Sequence, residues 1–295
     1  MAGAGPSAAR PGPLIPAGST QVAARARLAF TLALGLPAGL ASQTGPPRCG
    51  HPSSAPRLDH AVVVVPNLDS ARARLAPLGF RFKAGRLHQD NLLNLHIKFR
   101  DGTEIELMSV AGPPGDANAR DYAELLAAGA GGAYVALLAP DLDAVAAAAT
   151  RAGLPYRRSA GRWQFLSFPS PSEARAVFFG SGWLPPNDAD SVLDHPNGAE
   201  ALDQAWVEGG VELDSLLSAV GAVPCDSLSL PDGRRGRAWN LARGSLVIVR
   251  PAAATALPRP VGVLLRARER TAMAPVLALP GFWLGLVPGE LAGAN

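Results

Sequence analysis

Leu58-Asp59-His60-Ala61-Val62-Val63-Val64-Val65, closed by Pro66-Asn67, and then Asp101-Gly102-Thr103-Glu104-Ile105-Glu106-Leu107-Met108 are the stretches that decide the fold. The first is an apolar, β-branched run of strand length. Asp69–Pro77 after it reads as a helix, with Leu68, Ala71 and Leu75 on one side and arginines on the other. Leu78–Phe82 is a short strand by the same reading, and Asn94–Phe99 alternates cleanly. Asp101-Gly102 is a hairpin turn signal, after which Thr103–Met108 alternates again. The predicted unit is one strand, one helix and three strands.

The unit recurs. Tyr134–Leu138 followed by Pro140-Asp141-Leu142-Asp143 repeats the opening strand and its Pro66-Asn67-Leu68-Asp69, displaced by 140 − 66 = 74 residues. An Ala-rich helix (144–152) and strands near 162–168 and 174–179 complete a second copy. Ala201–Val207, Leu213–Val220 and the hairpin 237–241 with 245–249 outline a third, and 261–265 opens a truncated fourth. Spacings near 72 residues indicate duplicated supersecondary units. Each helix precedes several strands joined by short turns, which predicts an α+β fold rather than a doubly wound parallel sheet. The expected organisation is 1–57 as a disordered N-terminus and linker, 58–182 as the first two modules, and 183–295 as a linker with the third and fourth.

Within 1–57, Arg25-Ala26-Arg27 precedes an apolar stretch ending near Gly39-Leu40-Ala41, so about 22–41 reads as an export signal. The apolar run is broken by Pro37 and too short for a comfortable membrane span. A periplasmic or secreted chain is expected if the signal is genuine, and a cytoplasmic one otherwise. Net charge is +3 and charged residues are 17% of the chain, scattered rather than gathered into a basic patch, which argues against nucleic acid. Cys49 and Cys225 are the only cysteines; they could bridge or stand as unrelated thiols. Gly129–Gly132 has no helix start after it, so it is a weak dinucleotide signal. The five tryptophans read as core or pocket wall, and no Gly-x-Ser-x-Gly occurs.

Strand alternation decides which side chains share a face. It puts His60, Asn94, His96, Lys98, Glu104 and Glu106 on one face, opposite the apolar Ala61, Val63, Leu95, Ile97, Ile105 and Leu107. Polar residues gathered on one face are either solvated or line a pocket. An imidazole and a carboxylate from adjacent strands suit a borderline divalent metal and would polarise a substrate oxygen.

Leu58-Asp59-His60 opening a Val-rich strand, the helix after Asn67-Leu68-Asp69, and Asp101–Leu107 closing the module resemble the vicinal-oxygen-chelate superfamily. Gly85-Arg86-Leu87-His88 with Asn94, and His195-Pro196-Asn197-Gly198-Ala199, resemble more narrowly its glyoxalase-like domain branch. The resemblance spans about 57–250. It implies repeated βαβββ modules forming curved mixed sheets around a pocket, and metal ligands at His60 and Glu106, which would also be the catalytic groups. Tyr134 stands where a second module would supply another ligand, and neither Arg175–Phe179 nor Ser245–Val249 carries an acid, so a half site is what aligns. Completing it calls for His195, His88 or His96; His195 is the expected third ligand, and His88, Asn94, His96, Lys98, Glu104 and Tyr134 the expected pocket.

The implied function is a divalent-metal enzyme (Fe, Zn, Mn or Ni) of the isomerase, lyase or dioxygenase kind, acting on a small oxygenated molecule. A dioxygenase would want two histidines and one carboxylate around iron. The competing expectations are a metal-free small-molecule binder of the same fold and an exported interaction module with a vestigial pocket. The expected partners are a small molecule and, in a homodimer, a second copy.

Overall fold

The computed structural model describes residues 49–159, 164–181, 187–252, 257–268 and 272–289. The export signal, Trp163, Trp183 and the expected boundary at 182/183 lie outside the described residues. In chain order the elements are β1 (Arg57–Val64), α1 (Leu68–Leu75), β2 (Lys83–Leu87), β3 (Leu92–Lys98), β4 (Glu104–Val110) and α2 (Ala117–Ala127). Then come β5 (Gly131–Leu138), α3 (Leu142–Arg151), β6 (Arg157–Arg158), β7 (Gln164–Ser167), β8 (Val177–Ser181) and α4 (Asp190–Leu193). The rest is β9 (Ala199–Glu208), α5 (Val211–Ala219), β10 (Val223–Ser229), β11 (Arg235–Asn240), β12 (Ser245–Val249), β13 (Pro260–Ala267), β14 (Met273–Leu279) and β15 (Phe282–Pro288).

The strands form two curved, unclosed mixed sheets. One runs β2-β3-β4-β1-β5-β8-β7-β6 and the other β10-β11-β12-β9-β13-β15-β14. Within each half-sheet the opening strand lies parallel to the closing one, β1 beside β4, β5 beside β8, β9 beside β12 and β13 beside β15. The opening strands meet antiparallel, β1 with β5 and β9 with β13. This is the α+β architecture of repeated βαβββ units; the fourth unit has three strands and no helix among the described residues.

Short helices are held by their caps. Asn67 accepts from the Ser70 N–H at the start of α1, Asp116 from Ala119 at α2, and Asp141 from Asp143 at α3. Each such cap contributes about 1 kcal/mol. The main core fills the space between helices and sheets: Ala61, Val63, Leu95, Ile97, Ile105 and Leu107 pack with Leu75, Val145, Leu216 and Val263 in one cluster. The faces carrying His60 and Trp206 are turned away from that cluster and have smaller clusters of their own.

Two of the departures from the sequence reading lie next to the first module. The short strand expected at Leu78–Phe82 is instead a 3-10 turn (Ala76–Leu78) and a loop, with β2 starting at Lys83. Gly79 adopts φ 86 and Phe80 is buried in the main core, so an apolar pattern there marks a packed loop. The linker just before β1 is tied down: Cys49 is bonded to Cys225, Asn240 donates to the Cys49 carbonyl at 2.6 Å, and His51 Nδ1 lies 2.7 Å from the Leu241 carbonyl. Gly131 opens β5, and a Cβ at Gly132 would fall 2.0 Å from the Pro260 carbonyl, so these glycines let two backbones meet.

Candidate functional site on the His60 face of the first sheet

Register lays the polar residues out in three rows. Lys98, Glu104, His60, Ala136 and Phe178 pair in sequence across β3, β4, β1, β5 and β8. Lys83, His96, Glu106, Val62 and Tyr134 form the next row, from β2 to β5. Asn94, Met108, Val64 and Gly131 form the third. Directly paired residues point to the same side. The face expected from alternation is therefore the face that forms.

His60 is buried at 6% exposure, with Nδ1 2.7 Å from Asp59 Oδ2 and Nε2 3.8 Å from Glu106 Oε2. Burial pulls its pKa down most strongly, but the hydrogen bond to Asp59 and the charges of Glu104, Asp59 and Glu106 together raise it above the ordinary value. Glu106 Oε1 accepts from Asn94 Nδ2 at 2.8 Å, and Asn94 Oδ1 accepts from the Arg86 N–H at 2.8 Å. Glu104 is also buried. Burial pushes its carboxyl up, yet His96, at 3.3 Å through Nδ1, with His60 and with Lys98 in contact, holds it down to about 2.

Aromatic rings and α2 close the other side. Phe178 lies edge-on to His60 at 5.6 Å and to Tyr134 at 6.2 Å, and Tyr134 edge-on to Tyr122 at 5.3 Å. Ala119, Tyr122 and Leu125 of α2 pack on Val62, Val64 and Met108. Burial pushes the Tyr134 hydroxyl up to about 12 and raises Tyr122 well above its ordinary value, so both keep their protons. Two open clefts, about 350 and 530 Å³, lie elsewhere, near Pro56, Ala139 and Pro140, and are walled largely by small residues and prolines.

His195 and His88 do not join His60. His195 is sandwiched edge-on by Phe80 at 5.7 Å and Phe99 at 5.3 Å, in the main core on the other side of the sheet. Its Nδ1 accepts from the Arg81 N–H at 3.0 Å and its Nε2 donates to the Lys98 carbonyl at 2.9 Å. Both nitrogens are spent on backbone, and burial lowers its pKa, so the expected third ligand is instead a structural pin. His88 pairs by backbone with Leu92, in the row of Val110. That is four residues along the strand from Glu106, about 13 Å at ~3.3 Å per residue. His96 is turned to Glu104.

A metal held by this face would use His60 Nε2 and Glu106. The Asp59 carboxylate behind Nδ1 suits such an imidazole. The register, however, relates the two halves by a pseudo-twofold: His60 pairs with Ala136 as Tyr134 pairs with Val62, and Glu106 pairs with Val62 as Phe178 pairs with Ala136. The places equivalent to His60 and Glu106 thus hold Tyr134 and Phe178. Among the described residues no three His, Cys, Asp or Glu side chains are grouped to hold an ion. The residues present fit half a site and not a whole one.

Asp59, Tyr122, Arg175 and Phe178 belong to this neighbourhood and escaped the sequence reading of the site. The signal for Tyr122 was present: Asp116 is a helix cap, and Ala119, Tyr122 and Leu125 follow at helical spacing.

Two curved sheets of βαβββ units, one with a polar face opening from its first strand, define the vicinal-oxygen-chelate class. A family model described as glyoxalase-like domain matches residues 58–210, just over half the sequence, and the chain belongs to that family. Solved structures agree on the fold. A protein of Staphylococcus aureus described as hypothetical is 13% identical, with a TM-score of 0.57 over 79% of this chain and 99% of that one. A catechol 2,3-dioxygenase is 12% identical, with a TM-score of 0.56 over 83% and 91%. The 2,2',3-trihydroxybiphenyl 1,2-dioxygenase of Sphingomonas wittichii is 13% identical, with a TM-score of 0.53 over 82% and 95%. No curated protein sequence is matched.

Proposed function

We propose that the His60 face of the first sheet binds a small oxygenated molecule, with His60, backed by Asp59, and Glu106 as its proton-exchanging pair, and with no resident metal. One observation carries this reading: Tyr134 and Phe178 occupy the positions that would complete a metal site, and Phe178 packs against His60 itself. His60 Nε2, 3.8 Å from Glu106, can hand a proton to a ligand oxygen placed between them, and Glu106 can take one from it. The tyrosines and Phe178 exclude water from that exchange.

A second reading keeps the metal, and the Asp59–His60–Glu106 alignment favours it. It would make the chain an isomerase, lyase or dioxygenase, as the names of the dioxygenase neighbours suggest. Metal analysis of the purified chain after loading with Fe, Zn, Mn and Ni under air and under nitrogen separates the two. Well under one equivalent in the wild type is expected. One equivalent, lost in both His60→Ala and Glu106→Ala, sinks the metal-free reading. The Cys49–Cys225 bond supports an oxidising compartment and hence export. The N-terminal mass of the secreted chain tests that: a fully retained N-terminus would speak against it.

A further inference from the structure

Among the described residues, Arg175 is a buried cation that the proposed chemistry does not use. It lies in the 3-10 turn (Glu173–Ala176) leading into β8 and is 4% exposed. Its Nη1 is enclosed and has no hydrogen-bond partner among the described residues. The half-buried Arg259 shows the contrast: it donates through Nε to the Gly132 carbonyl at 2.8 Å and through Nη2 to the Gly129 carbonyl at 3.0 Å. The carboxylate nearest in influence, Asp121 on α2, is already paired with Arg157 at 3.7 Å. A guanidinium stays charged at any ordinary pH, and burying one unpaired is costly. Its charge is felt by the guanidinium of Arg259, a like charge that offers it no pairing.

Its surroundings place it at the site. Val177, two residues on, pairs with Val135, the neighbour of Tyr134, and Phe178 pairs with Ala136, so Arg175 enters β8 beside the strand that carries Tyr134; its charge is felt by Tyr134 and by Asp121 on the helix covering that face. The Tyr134 hydroxyl keeps its proton and is beside the guanidinium, so it too can donate. Phe178, three residues after Arg175, stands between Tyr134 at 6.2 Å and His60 at 5.6 Å. Arg175 and the His60–Glu106 pair therefore flank one aromatic wall. A fork of N–H donors matches the paired oxygens of a carboxylate or phosphate.

We infer that Arg175, with the Tyr134 hydroxyl, anchors an oxyanion group of the ligand, carboxylate or phosphate, whose unsaturated body lies along Phe178 and whose other oxygen meets His60 and Glu106. The inference rests on the His60 face being the binding site. Calorimetric titration of the full chain with benzoate, phenyl phosphate and benzamide tests it. At least one of the two anions should bind about tenfold more tightly than the neutral amide, and the tighter anion names the group. Arg175→Met should erase that preference, and Arg175→Lys should keep part of it. Without ligand, Arg175→Met should melt no lower than wild type, because it removes an unpaired charge. A preference unchanged in Arg175→Met, or a variant that melts far below wild type while Arg175→Lys binds normally, makes Arg175 structural and overturns the inference. Equal binding of anions and amide overturns it too, while leaving the His60 face as the site. Binding of none of the three overturns both.

Discussion

Replacing Glu104 by Gln keeps its volume and removes its charge from a buried contact with Lys98, His96 and His60. The carboxyl is held from 4.5 down to about 2, because its cationic neighbours outweigh burial. A folded-state pKa below the unfolded one contributes stability that is complete above the unfolded value and fades as pH falls toward the folded one. The contribution is about 3 kcal/mol near neutrality and about 1.4 kcal/mol at about pH 3. Urea denaturation of Glu104→Gln should therefore show a loss of about 3 kcal/mol at neutral pH, with a melting temperature lower by about 6–12 °C. The gap to wild type should close to about half between pH 5 and about pH 3. A neutral-pH loss under about 1 kcal/mol, or a gap that stays constant with pH, would refute the reasoning that this carboxylate is the electrostatic keystone of the face.

Three further outcomes are expected. Asp59→Asn should lower the His60 pKa, read from its ring proton shift by NMR, since the Asp59 hydrogen bond is the largest of the raising influences. The raised value means His60 stabilises the fold below 6.5 and less as pH climbs through its folded pKa; in the variant that decline should shrink, and an unshifted titration would contradict the assignment. Tyr134→His combined with Phe178→Glu puts the missing donor types at the pseudo-symmetric positions, so calorimetry should detect zinc or nickel binding at least about tenfold tighter than in wild type. No gain would mean the two halves are not spatially equivalent. Breaking the Cys49–Cys225 bond, which closes a separation of 176 residues, should cost up to about 5 kcal/mol by the chain-entropy argument. A loss near zero in Cys225→Ser would show that the segment before β1 is held by its hydrogen bonds alone.

The sequence made the fold legible because β1, α1 and β4 carry strong local signals: a β-branched run, a capped helix and an alternating strand after an Asp-Gly turn. The site was half legible for the same reason. Period-two alternation put His60, Glu104 and Glu106 on one face, and only the parallel register of β1 with β4 could add that Glu104 pairs with His60 while Glu106 sits one step on. β10 escaped because Val223–Ser229 is largely exposed and mixes Pro, Cys, Asp and Ser, so no apolar period marks it. β6 has two residues. His195 misled because a loop histidine shows no face in the sequence; what fixes it is a pair of backbone contacts made 114 and 97 residues away in the chain. Arg175 was hidden by the reverse effect: the sequence reading put it in a closing strand, and it is a buried charge in the 3-10 turn before that strand.

The turn Asp101–Thr103 that leads into β4 is gripped from the other half of the protein. Thr103, fully buried, accepts from the Leu202 N–H at 2.7 Å, and Arg243 donates to the Asp101 carbonyl at 2.7 Å. Leu58, two residues before His60, donates through its N–H to the Arg243 carbonyl at 2.9 Å. The strand bearing the histidine and the strand bearing the two glutamates are thus fastened at their roots to residues past 200. A fragment ending at β8 would carry every side chain of the site without the vice that keeps their spacing, and a lesion as remote as Arg243 could loosen the His60–Glu106 gap while touching neither residue.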